Sequence, residues 1–208
     1  MLMSRRTTLA AGLALPAAAI PFAAHATVAP GTQAPDFTLP DQDGTARSLS
    51  ALRGRTVVIQ WENFECPFVR KHYTSSNMQN LQREAAAKGI TWISMASSPE
   101  GEQGHVTGAR ARELTASRQA APAFVLLDHR SVAARAYGAT VTPQIIVIDA
   151  QGIIRYNGAI DSIRSTRVED VARAETWAKD AMIAVSEGRA PARASTPPYG
   201  CAIKYIDA

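Results

Sequence analysis

Cys66 and Cys201 are the only thiols in a chain of 208 residues, and a proline follows the first of them directly. Cys66 lies in "WENFECPFVR", residues 61–70, and Cys201 in "TPPYGCAIKYI", residues 196–206. A thiolate attacks disulfides and peroxides, so what a cysteine can do depends on where the fold sets its sulfur. Pro67 suits the first position of a helix, where its missing N–H costs nothing. Cys66 is then the N-cap residue, with its sulfur near the unpaired N–H groups of the first turn, where the helix dipole favours a thiolate. Arg70, four residues on, shares that helix face and adds positive charge if it folds back. Pro143, in "ATVTPQIIVI" immediately before an apolar run, sits where a cis peptide can hold backbone beside a site. The plainer reading of Cys66 is a small buried apolar residue.

The elements that must place these residues follow from the hydrophobic pattern. "RTVVIQWEN", residues 55–63, and "ITWISMAS", residues 90–97, read as strands covered on both faces. Between them, residues 67–88 contain no glycine and no internal proline, which predicts one long helix closed by Gly89. A short strand is expected at 37–39, a helix at 109–119, a strand at 123–128 and a helix at 131–137 closed by Gly138. Residues 144–160 alternate around Gln151-Gly152 as an antiparallel hairpin. Val168, Val171, Ala174, Ala178, Ala181, Met182 and Val185 recur near helical period and predict a last helix. The expected architecture is α/β, three layers with a central mixed sheet flanked by helices.

The composition is that of one ordinary globular domain, with 46% hydrophobic and 19% charged residues. Residues 1–26, "MLMSRRTTLAAGLALPAAAIPFAAHA", read as a signal peptide: Arg5-Arg6, an apolar stretch, and Ala24-His25-Ala26 before a cleavage point. The arginine pair suggests the twin-arginine route. Residues 27–190 form the expected domain, and 191–208 a Pro-rich tail carrying Cys201. The formal charge is +4; without Arg5 and Arg6 it is +2, too weak a bias to suggest nucleic acid or an anionic membrane. Export to the periplasm or beyond matters because disulfides persist outside the cytoplasm.

The sequence resembles the thioredoxin-fold superfamily, in its peroxiredoxin-like redoxin branch (alkyl hydroperoxide reductase and thiol-specific antioxidant). "APDFTLPDQDG", "ECPFVRKHY", "NMQNLQREAAAKGI", "AYGATVTPQIIVID" and "GCAIKY" carry the likeness and occur in its order. The resemblance implies a thioredoxin-like fold, makes Cys66 the peroxidatic cysteine, and makes Val141-Thr142-Pro143 the cis-proline loop facing it. Asn63 stands where peroxiredoxins carry threonine; its amide can also hydrogen-bond a peroxide oxygen. Val69 stands where a C-x-x-C motif would place a second cysteine, so a disulfide within one chain must join Cys66 to Cys201.

Two activities and one purely structural role fit these residues. Cys66 reduces a peroxide with Cys201 resolving the sulfenic acid, or it exchanges with a disulfide substrate, each drawing electrons from an external thiol. Alternatively a structural Cys66–Cys201 bond merely pins the tail, which chain entropy would favour by roughly 4–5 kcal/mol. Pairing of the tail across a homodimer is a further arrangement. No cofactor and no metal is expected: His72 and His105 read as exposed polar side chains, because a cysteine–histidine metal site needs more thiols close in sequence. His129 is assigned no role. Glu62 and Glu65 flank Cys66 and suit either proton relay or solvated loop positions, while Trp61 and Phe64 suit packing.

Overall fold

Alternation along the central strands splits their side chains between two cores. A computed structural model describes residues 28–205; the expected leader with Arg5, Arg6 and Ala24-His25-Ala26, and the tail residue Ile206, lie outside the described residues. In chain order the elements are β1 (Thr38–Pro40), β2 (Ala46–Ser48), β3 (Val57–Glu62), α1 (Pro67–Thr74), α2 (Asn77–Ala87), β4 (Thr91–Ala96), α3 (Gly108–Ser117), β5 (Phe124–Leu127), α4 (Val132–Tyr137), β6 (Val141–Thr142), β7 (Gln144–Ile148), β8 (Ile154–Gly158), α5 (Trp177–Ser186) and β9 (Cys201–Ala202). The central sheet runs β5-β4-β3-β7-β8, with β3, β4 and β5 parallel and β7 and β8 antiparallel. This is the mixed sheet of the expected three-layer α/β fold.

On one face, Val58, Ile145 and Val147 meet apolar residues of α1, α2 and α5, among them Val69, Leu81 and Met182. On the other, Val57, Ile59, Trp61, Ile146 and Ile148 meet Phe37, α4 and Ile203 of the tail. Such two-sided burial is why these strands read as unbroken apolar runs. β3 is the middle strand, and its C-terminal end delivers the chain to Cys66 and α1.

Two predicted helices are corrected. The helix expected over residues 67–88 is broken between α1 and α2, where Ser76 adopts a left-handed conformation with φ 61°. The Ser75 hydroxyl donates to the His72 carbonyl (3.2 Å) and accepts from Asn77 N–H (3.4 Å), so a side chain takes over backbone hydrogen bonding at the break. The last helix begins only at Trp177. Val168–Arg173 is a separate 3-10 turn, held by Asp170 between Arg167 and Arg173. Val168 is exposed, so its place in the helical pattern had no core to serve.

The tail packs back across the domain. Ser195 bridges Asn157 in parallel, and the Thr196 hydroxyl accepts Ala159 N–H at 3.0 Å. β9 then pairs with β6, and Ile203 enters the core. Tyr205 closes the segment by donating its hydroxyl to the carbonyls of Ala134 and Ala139.

Candidate active site

Cys66 is the N-cap of α1, with extended backbone at φ −67° and ψ 122°. Its N–H bonds the Asn63 carbonyl at 3.0 Å, and its carbonyl accepts the first helical bond from Arg70 N–H at 2.9 Å. The side chain, however, makes no capping bond. The thiol instead donates to the carbonyl of Thr142 at 3.2 Å, so its hydrogen bond goes to the loop before Pro143 rather than to a first-turn N–H. Cys66 is fully buried.

Thr142–Pro143 is a cis peptide, and the loop it forms faces the Cys66 sulfur through that carbonyl. β6 and β9 are antiparallel, with Thr142 directly opposite Cys201. The two thiols are free, and Cys201 packs against the buried cluster that contains Cys66 of the same chain. Burial first, then the neighbouring Cys66 thiol and its charge, push the Cys201 pKa up to about 12, so Cys201 stays protonated at neutral pH. Gly200 makes the approach possible. Its φ is +149°, and a Cβ there would lie 1.9 Å from the Thr142 carbonyl oxygen, so any side chain would push β9 off β6.

The remaining expected site residues divide. Pro67 opens α1 as predicted. Asn63 is buried and already engaged: its Oδ1 accepts Glu65 N–H at 2.9 Å and its Nδ2 donates to the Gln103 carbonyl at 3.3 Å. Glu65 accepts Gly104 N–H at 2.8 Å, so Asn63 and Glu65 together clamp the 97–107 loop beside the site. Arg70 does not fold back over the sulfur. It is exposed and lines a groove of about 420 Å³ with Tyr73, Gln79 and Arg118. Glu62 accepts the Tyr73 hydroxyl at 2.9 Å, and Trp61 packs on Tyr137 with ring centres 5.6 Å apart. Thr142 carries a buried hydroxyl with no hydrogen-bond partner.

His72 corrects a second expectation, because it is fully buried rather than exposed. Asn77 Nδ2 donates to its Nδ1 at 2.9 Å, which leaves Nε2 as the protonated nitrogen, 3.7 Å from Asp161 Oδ2. Lys71, Asp161 and Tyr199 complete the same interior cluster, and none of them stood out in the sequence. His105 lies elsewhere, its ring tilted against that of His129 with centres 4.4 Å apart, and the described residues contain no group of three or more His, Cys, Asp or Glu suited to a metal.

Desolvation, and then the Lys71 charge, pull the His72 pKa down to about 3. The Asp161 contact does not reverse this, since Lys71 already stands 3.4 Å from that carboxylate and offsets its charge. The unfolded chain therefore takes up this proton first as pH falls below about 6.5, and the folded state loses stability from there down to about 3. Between pH 7 and 5 this single group is expected to cost roughly 2 kcal/mol. Urea midpoints at the two pH values measure it, and His72→Gln should remove that share of the difference.

Comparison with known proteins places these features. The family model for Redoxin matches residues 29–176. No curated protein matches the sequence. Among solved structures, a hypothetical protein from Sinorhizobium meliloti 1021 is similar at 23% identity and a TM-score of 0.73, covering 88% of this chain and 98% of that one. An uncharacterized conserved protein from Geobacillus kaustophilus is similar at 24% identity and a TM-score of 0.72, covering 86% and 93%. The thioredoxin domain of a thiol-disulfide oxidoreductase from Bacteroides vulgatus follows at 19% identity and a TM-score of 0.51, covering 71% and 97%. These likenesses establish a thioredoxin-like fold.

Proposed function

We propose that this chain, which belongs to the Redoxin family and is a thiol-dependent oxidoreductase, reduces peroxides with Cys66 as the attacking sulfur and Cys201 as the resolving one. One observation carries the reading: a fully buried Cys66 thiol meets the carbonyl of Thr142, and Thr142 pairs directly with a partly exposed Cys201 of the same chain that packs against the same cluster. Burial under β9 admits a small oxidant more readily than a bulky disulfide.

The Cys66 thiolate attacks one peroxide oxygen, the O–O bond breaks, and the second oxygen leaves as alcohol or water after taking a proton. Cys66 is now a sulfenic acid. Cys201 attacks its sulfur, the S–O bond breaks, water leaves with the Cys201 proton, and a Cys66–Cys201 disulfide remains. An external thiol reductant then restores the pair, reaching it through the more exposed Cys201. In this scheme the Thr142 carbonyl orients Cys66, and the unpartnered Thr142 hydroxyl is a donor for the oxygen carried on the sulfur. Pro67 and Pro143 shape the two backbone segments that meet at the sulfur, and Asn63 fixes the loop beside it.

Consumption of hydrogen peroxide by the reduced chain with a dithiol donor tests the reading. Turnover that depends on Cys66 supports it; no consumption above the reductant alone refutes it. A second reading, thiol–disulfide exchange, is favoured by the shortness of β9, whose two residues are all that β6 holds. Faster reduction of a protein disulfide than of peroxide would establish that reading instead.

The high pKa of Cys201 implies a pH dependence. Burial, the largest cause of the rise, does not depend on the charge of Cys66, so the attacking thiolate is scarce at pH 7 and disulfide closure should accelerate as the pH rises from 7 to 9. Stopped-flow measurement of closure after a peroxide pulse checks this, and a flat profile contradicts it.

We also propose that residues 1–26 export the chain and are removed, leaving a mature protein that starts at Thr27, with 27–190 as the domain and 191–208 as its tail. N-terminal sequencing of periplasmic protein tests the cleavage, and a chain still beginning at Met1 would refute it. Retention in the cytoplasm after Arg5 and Arg6 are changed to lysine would identify the twin-arginine route.

A further inference from the structure

We propose that Lys71, Asp161 and Tyr199 form a buried latch that holds Cys201 at the Cys66 sulfur and so sets how fast an oxidised Cys66 closes to the disulfide. The inference rests on the reading of Cys66 and Cys201 as a redox pair. It assigns a positioning role to three residues whose hydrogen bonds run to one another and to Ile163 rather than to either sulfur.

The three groups are interior, with Lys71 2%, Asp161 4% and Tyr199 6% exposed. Lys71 Nζ donates to the Ile163 carbonyl at 3.0 Å and to Tyr199 Oη at 3.3 Å, and stands 3.4 Å from Asp161 Oδ2. The Tyr199 hydroxyl in turn donates to Asp161 Oδ1. Its ring lies 5.3 Å from the Lys71 ammonium and packs edge-on against Phe68 at 5.7 Å. His72, neutral in this environment, borders the cluster. A lysine and an aspartate taken out of water are a costly way to stabilise a fold, and apolar residues of the same volume often serve stability as well.

Their placement in the chain gives them a different use. Lys71 belongs to α1, the helix that begins directly after Cys66, and Tyr199 lies two residues before Cys201. Two residues span at most about 7 Å, so fixing Tyr199 to α1 confines Cys201 to the neighbourhood of Cys66. β9 alone, with two paired residues, would be a weak tether. The latch keeps the second thiol at high effective concentration when the first is oxidised. The step it serves is balanced for either substrate class. Cys201 displaces water from a Cys66 sulfenic acid, or displaces the partner thiol from a mixed disulfide on Cys66.

A chromogenic aryl disulfide, 5,5′-dithiobis(2-nitrobenzoate), added at one equivalent to the reduced full chain, separates the steps without relying on peroxide chemistry. Capture of one sulfur releases the first arylthiolate at a rate set by concentration. Closure of the pair releases the second at a rate independent of it. Tyr199→Phe keeps the ring and removes the hydroxyl that bridges Asp161 and Lys71. It should slow the concentration-independent phase about tenfold or more and leave the capture phase within about twofold. Asp161→Asn should act in the same direction, whereas Leu126→Ala, in the opposite core, should lower stability without changing closure. Unchanged closure in both latch variants, or equal slowing of both phases, would overturn the latch. Absence of a second release in the unsubstituted chain would instead refute the redox pair itself, and the latch with it.

Discussion

Replacing Cys66 by serine is expected to abolish turnover, lowering kcat/KM by at least about a thousandfold, because an alcohol at that position cannot take over the attack. Nothing else among the described residues can substitute, since the only other thiol is Cys201, whose raised pKa keeps it protonated. Cys201→Ser separates the steps. The first attack should proceed at close to its usual rate, and the protein should then stop as a sulfenic acid after one equivalent of peroxide. Rapid-quench measurement of the first turnover, followed by steady-state assay with the same reductant, distinguishes the two variants. Turnover of Cys201→Ser at the wild-type rate would remove it from the mechanism. If Cys201→Ser lowers only thermal stability and Cys66→Ser leaves activity intact, the cysteine pair is structural.

Asp161→Ala is expected to destabilise the fold by about 3–5 kcal/mol, a large share of a typical domain's stability. The change leaves the fully buried Lys71 ammonium without its carboxylate and the Tyr199 hydroxyl without its acceptor. A buried charge that has lost its partner costs far more than the intact pair contributes. Changing both residues, Lys71→Met with Asp161→Leu, should therefore recover most of the loss. Urea unfolding of the single and double variants gives the cycle directly. A loss under about 1 kcal/mol for Asp161→Ala would mean that water reaches Lys71 and that the cluster is not sealed.

The strands that frame the site were legible in the sequence because β3, β4 and β7 are covered on both faces, which leaves unbroken apolar runs. The Cys66–Pro67 junction was legible for a local reason, as proline at a first helical turn needs no distant partner. Other features depend on contacts remote in sequence. Lys71 meets Tyr199 across 128 positions, and neither residue signals the other in its own segment. His72 looked like a surface residue because its burial depends on Asp161 and on the turn at Ser75-Ser76. That turn was missed because two serines are weak breakers, and the side-chain hydrogen bonds that end α1 are visible only once the chain has folded. The sulfur's partner was misjudged in the same way. Helix geometry suggested the first-turn N–H groups, but the thiol's hydrogen bond goes to the Thr142 carbonyl of the cis-proline loop.

The most direct measurement is peptide mapping by mass spectrometry of the reduced protein after one equivalent of hydrogen peroxide. A single intramolecular crosslink joining the Cys66 and Cys201 peptides is expected, formed through a sulfenic acid that dimedone traps only in the Cys201→Ser variant and fully reversed by a dithiol. Two cysteines still reduced after the peroxide is mixed in, or crosslinks found only between chains, would contradict the assignment of Cys66 and Cys201 as one redox pair.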